Sequence, residues 1–196
     1  MDKRQFLTAA VFGAAALPSY AFAQPAIKSG HGPAILTVTG AIGRGNRGPL
    51  DPALDQMMHK QNIKFDKGHT FDFGAISALP AISIKPTLEY DAQPHILSGP
   101  TLSDVVKATG AQTSNTTKLL LRAVDGYAVV ISLADARKYR FIVATHLDSQ
   151  PMPLGGLGPL WAVYDADRFP DMTTKTISER FALCPWALYH IDVQVA

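Results

Sequence analysis

The sequence predicts a strand-rich, mixed α+β domain, and three features of its pattern lead to that expectation. Short alternating or continuous apolar runs recur along the chain, bounded by Gly, Pro, Asn or Asp. Segments with helical spacing are few and short, and they do not alternate with the strands as a doubly wound sheet requires. No glycine fingerprint for a nucleotide links a strand to a helix, and no repeat with a period of about 20 to 50 residues emerges.

Composition sets the outer bounds. With 196 residues, 47% of them apolar and 17% charged, the chain has the make-up of one packed domain rather than a disordered segment. Lys and Arg number 18 against 16 Asp and Glu, and no basic run exceeds a dipeptide, which excludes a nucleic-acid-binding stripe. Cys184 is the sole cysteine, so there is no internal disulfide and no zinc site built from cysteine pairs. The six histidines, His31, His59, His69, His95, His146 and His190, lack the one-turn spacing of a helical metal pair. A hydrolase elbow of the Gly-x-Ser-x-Gly type is also missing.

Lys3 and Arg4 precede an apolar run over residues 6–17, followed by Pro18 and the small-x-small triplet Ala21-Phe22-Ala23. That is the pattern of a signal peptide over residues 1–23, cleaved after Ala23. Its run of about a dozen apolar residues is too short for the ~20 needed to span a bilayer. Lys3-Arg4-Gln5-Phe6-Leu7 also resembles a twin-arginine export signal whose first arginine is replaced by lysine, and the two export routes stay open as alternatives. The expectation is a periplasmic domain over residues 24–196 with no transmembrane segment in the mature chain.

Taken in order, residues 34–40 read as a first strand closed by Gly40, and residues 43–49, rich in Gly and ending in Pro49, as a loop holding Arg44 and Arg47. Residues 51–60 read as a short helix with Asp51 as its N-cap and Pro52 at its first position. Residues 71–73 form a short strand and 74–79 a helical turn ended by Pro80. Ile82, Ile84, Pro86, Leu88 and Tyr90 then alternate as a strand, which Pro86 places at an edge or a bulge. Residues 101–110 give a helix capped by Thr101, with Asp104 at its third position and Gly110 closing it. Residues 119–124 and 127–131 make a hairpin about Asp125-Gly126. A short helix over 133–138, a strand over 141–145, a long loop over 148–158 and a strand over 160–164 follow. The segment 186–195 ends the chain, with Leu188, Ile191, Val193 and Val195 as its apolar positions.

Four segments in sequence order, 36–40, Leu97-Ser98-Gly99-Pro100-Thr101-Leu102 with its helix, Asp125-Gly126-Tyr127, and Gly158-Pro159-Leu160-Trp161-Ala162-Val163-Tyr164, carry a resemblance, completed by Trp186-Ala187-Leu188 and Ile191-Asp192-Val193. Together they resemble the sulfite-oxidase-type, molybdopterin-binding oxidoreductase domain, especially its small exported versions, over nearly the whole mature chain. The resemblance implies a β-rich sulfite oxidase fold in one domain with short helices. In enzymes of that fold a cysteine thiolate ligates molybdenum about a dozen residues before the glycine matched by Gly99, and that position falls at or near Thr87. A neutral hydroxyl is a poor substitute, because redox-active metals favour soft, readily deprotonated thiolates. Cys184, far away in sequence, reads as a small buried hydrophobe. The chain departs from the commoner family wording at Tyr90 and at Asp125-Gly126.

A smaller group with this fold lacks the ligand cysteine, is exported, and binds reduced pterins to control an inner-membrane enzyme that makes or degrades cyclic di-GMP. Its likeness implies a pterin cofactor without molybdenum and a partner in the periplasmic domain of an inner-membrane signalling protein. A pterin is a flat bicycle with a donor-acceptor edge, so its site needs aromatic faces, a carboxylate or backbone edge, and apolar walls. Tyr90, Tyr127, Trp161 and Trp186 can supply faces, Asp125 or Glu89 the edge, and Thr87, Pro159, Leu160 and Arg180 complete the expected pocket. Arg44, Arg47 and Arg122 are secondary candidates for an anionic ligand or partner. Two alternatives remain at this point: a molybdopterin-dependent oxidoreductase subunit with an atypical or absent molybdenum ligand, and a structural partner protein with an empty pocket.

Overall fold

The computed structural model describes residues 32–43 and 45–195. The expected signal peptide and Arg44 lie outside the described residues. Strand β1 (Leu36–Gly40) pairs on one side with β2 (His69–Phe71), antiparallel, and on the other with β11 (Leu188–Gln194), parallel. Strand β5 (Lys118–Ala123) lies antiparallel to β11, and β6 (Ala128–Ser132) closes the edge, giving the order β2-β1-β11-β5-β6. The segment expected to end the chain is thus a central strand of this sheet. Leu119, Leu121 and Ala123 alternate inward along β5 while Lys118 and Arg122 face away, the period of two that a half-buried strand imposes.

Strands β3 (Ala81–Ile84) and β4 (Leu97–Pro100) form a second, antiparallel sheet with β8 (His146–Leu147) and β9 (Gln150–Pro151). Strand β7 (Ile142–Ala144) pairs with β10 (Trp161–Val163), and all six residues of that pair are buried. Gly99 is where β4 crosses β7: a Cβ at that position would stand 2.0 Å from the Val143 carbonyl oxygen, so only glycine allows the approach. Helix α3 (Leu102–Ala108) starts as expected, with the Thr101 side chain accepting from the Asp104 N–H at 3.1 Å, and it buries Leu102, Val105 and Val106. Helix α4 (Leu133–Lys138) begins the same way, at Ser132. One apolar cluster runs from Leu36 and Val38 through Val105, Leu121 and Phe141 to Trp161 and Ile191.

Several boundaries differ from the expectation, each for a local reason. Helix α1 covers only Gln56–Lys60, because Asp51 instead caps a separate turn through the N–H groups of Ala53 and Leu54. Strand β2 ends at Phe71, since the Asp72 carboxylate accepts from the Ala75 N–H at 2.6 Å and opens α2 (Phe73–Ser77). The strand expected over 82–90 stops at Ile84. Pro86 has no N–H to continue a ladder, and residues 85–95 fold into a loop closed by Leu88 N–H to the Gln93 carbonyl and His95 N–H to the Pro86 carbonyl. Leu97–Pro100 is strand β4, and the loop over 148–158 opens with β9. Between β10 and β11 the chain forms α5 (Pro170–Thr173) and α6 (Ile177–Arg180), each a single turn. Among the described residues, no helix is long and apolar enough to cross a membrane.

Candidate functional site

The loop after β3, the β5–β6 turn and the segment leading into β11 converge on a cleft of about 300 Å³. Its lining includes Glu89 and Tyr90 from the first, Asp125 and Tyr127 from the second, and Phe181, Cys184 and Trp186 from the third. The turn is built by its sequence: Gly126 takes φ +94°, and the Asp125 side chain accepts from the Tyr127 N–H at 2.9 Å. That geometry stands Tyr127 out from the hairpin, half exposed.

Three aromatic donors hold the wall opposite the hairpin. Tyr164 Oη donates to the Arg180 carbonyl at 2.8 Å, Tyr127 Oη to the Ala182 carbonyl at 2.7 Å, and Trp161 Nε1 to the Cys184 carbonyl at 2.9 Å. Every second carbonyl of an irregular stretch is thereby satisfied by a side chain, which replaces the ladder it lacks. Trp161 is fully buried, with its ring centroid 6.4 Å from that of Tyr90 and 6.0 Å from that of Phe181. It underlies the cleft wall instead of presenting a free face.

Tyr90 stands between this cleft and an adjoining hollow of about 770 Å³ lined by Val124, Leu154, Leu157 and Ala187, and Trp186 is shared by both as well. The Tyr90 ring is half exposed, and its hydroxyl is pushed up to about 12, first by burial and then by the Glu89 carboxylate that accepts from it, while Trp186 acts in the opposite sense. At neutral pH Tyr90 is therefore a neutral hydroxyl tied to Glu89.

Of the residues expected at the site, Tyr90, Asp125, Tyr127 and Trp186 meet in one cleft, and Glu89 joins them. Leu160 is a fully buried core residue, and Pro159 lines a separate hollow of about 420 Å³ with Leu54, Met57 and Leu188. Thr87 is not in the lining of this cleft, and its N–H donates to Asp167 at 2.7 Å. Arg180 is taken up by Asp167 at 3.1 Å and by the carbonyls of Lys175 and Thr173. Arg47 is bound to Asp55 and lies over the Phe65 ring, and Arg122 lies on the strand face opposite Ala123, whose side lines the cleft. Phe181, Ser178 and Ala182 escape sequence reading because single helical turns carry no periodic signal.

With this geometry established, the chain can be set beside known proteins. No family model matches it, and no curated protein does. Among solved structures it resembles the sulfane dehydrogenase SoxCD from Paracoccus pantotrophus, with a TM-score of 0.51 at 9% identity. The fold is of the sulfite-oxidase type. The match covers 81% of this chain but 37% of the dehydrogenase chain, so this protein spans well under half of that neighbour's length.

The donor set does not fit a molybdenum centre. Thr87, the residue expected at or near the metal-ligand position, offers only a neutral oxygen, and its N–H donates to Asp167. Cys184 lies in the cleft wall, but burial pushes its thiol well above the ordinary range, so it is held protonated. Among the described residues, no group of three or more His, Cys, Asp and Glu side chains is placed to hold a metal ion.

Proposed function

We propose that this chain is a periplasmic pterin-binding module that works without molybdenum. The flat bicycle enters between Tyr90, Tyr127 and Trp186, and a carboxylate of Glu89 or Asp125 accepts from its amino-amide edge. Occupancy is passed to the periplasmic domain of an inner-membrane protein that makes or degrades cyclic di-GMP. The observation that carries this reading is the cleft itself: four aromatic side chains and two carboxylates around about 300 Å³, in a sulfite-oxidase-type fold.

The fold shared with a sulfane dehydrogenase favours a second reading, a molybdopterin-dependent oxidoreductase subunit, and the donor chemistry at Thr87 stands against it. One experiment separates the two. Protein purified from its native periplasm is analysed for released fluorescent small molecules and for molybdenum. A stoichiometric pterin without molybdenum is expected; stoichiometric molybdenum overturns the proposal, and neither species leaves a structural partner with an empty pocket.

A further inference from the structure

The charges around the cleft narrow the ligand further. Glu89 and Asp125 both line it, and the lining of the cleft and of the adjoining hollow includes no lysine, arginine or histidine among the described residues. Neighbouring cations do not line the cleft. The Arg180 guanidinium is held by Asp167 and two carbonyls, and Arg122 points off the opposite face of β5. In the first turn of α6, the capping box takes up the N–H groups of Thr176 and Glu179.

Phosphate recognition relies on guanidinium or ammonium groups, or on free backbone N–H groups, to offset a double negative charge. A cleft bearing two carboxylates instead repels that charge, more strongly where the walls are apolar and the local dielectric is low. The same carboxylates suit a ligand rich in N–H donors, each accepting from an amino group or ring N–H. Resting on the pterin reading, we infer that the site selects an unphosphorylated, neutral or cationic pterin through Glu89 and Asp125 and rejects phosphorylated pterins, molybdopterin among them.

The test uses the purified full domain and titration calorimetry with 7,8-dihydroneopterin and with its monophosphate ester. The free pterin is expected to bind about ten-fold or more tightly than the ester, with the ratio widening as salt is lowered. Asp125→Asn preserves the acceptor for the Tyr127 N–H, removes one negative charge, and is expected to bring the two affinities closer together. Equal or tighter binding of the ester overturns the selection by charge and leaves the pterin site standing. Binding of neither compound overturns the pterin reading and this inference with it.

Discussion

The Tyr127 hydroxyl donates to the carbonyl of Ala182 across 2.7 Å, joining the tip of the β5–β6 hairpin to the opposite cleft wall, 55 residues further along the chain. The bond closes one end of the cleft and fixes a carbonyl that no strand or helix engages. Tyr127→Phe keeps the ring and removes only the donor. Because the position is half exposed, the expected loss of stability is at most about 1 kcal/mol. The sharper readout is local: amide hydrogen exchange over residues 181–184 should accelerate while that of β5 does not. Unchanged exchange over 181–184 would show that Trp161 and Tyr164 hold the wall by themselves.

Gly99 faces the Val143 carbonyl at a distance that excludes a side chain, with a Cβ placed 2.0 Å from that oxygen and 2.9 Å from the Ala144 Cα. Both atoms belong to the backbone of a buried strand, so neither can move aside as a flexible side chain would. Gly99→Ala should therefore cost at least the ~1–3 kcal/mol typical of overpacking, read as a lower urea midpoint with an unchanged slope. A loss below about 0.5 kcal/mol, the range of neutral surface changes, contradicts the tight crossing of β4 over β7.

What was legible in the sequence follows from how local its causes are. Helix α3 can be read from Thr101, Asp104 and Gly110 because a cap and a closing glycine act within a few residues. The β5–β6 hairpin follows from Asp125-Gly126 for the same reason. The strand expected over 82–90 ends early because Pro86 and the 85–95 loop interrupt a run whose alternation looks continuous. Trp161 shows the other limit. An aromatic residue in a family motif can serve as ligand face or core filler, and only the packing reveals that its indole N–H is directed to the Cys184 carbonyl. Leu160, Thr87 and Arg180 have the same ambiguity, because which side of a loop or strand faces a cleft depends on partners far away in sequence.

His95 links the loop that carries Glu89 and Tyr90 to the turn after β8. Its Nδ1 lies 2.6 Å from the Asp148 carboxylate and its Nε2 lies 2.8 Å from that of Asp91. The Asp148 hydrogen bond, then that of Asp91, raises the imidazole above its ordinary 6.5, and His95 in turn holds both carboxyls below their ordinary 3.8. A raised histidine stabilises fully below its unfolded value and loses that contribution as pH rises through the folded value; the lowered carboxyls lose theirs as pH falls through their folded values. The clamp is thus complete between about pH 4 and 6.5 and weakens on the alkaline side. His95→Gln should lower the melting temperature near pH 5.5 and have a diminishing effect toward pH 9. A difference independent of pH would mean that shape, not charge, holds this loop.

Cys184 gives a reporter of the cleft wall that needs no ligand. Its side chain is buried, and burial pushes the thiol up far enough that the thiolate needed for nucleophilic attack is scarce at neutral pH. A disulfide reagent such as Ellman's should therefore label the native protein only as fast as the wall opens and label it immediately in denaturant. The carbonyl of this same residue accepts from Trp161 Nε1, so loosening that contact should expose the thiol. Trp161→Phe retains an aromatic core filler but removes the donor, and labelling in native buffer should rise well above the wild-type rate while global unfolding stays slower than labelling. If the variant labels no faster than the wild type, the bond between Trp161 and Cys184 does not control access to the thiol, and the wall is held by Tyr127 and Tyr164.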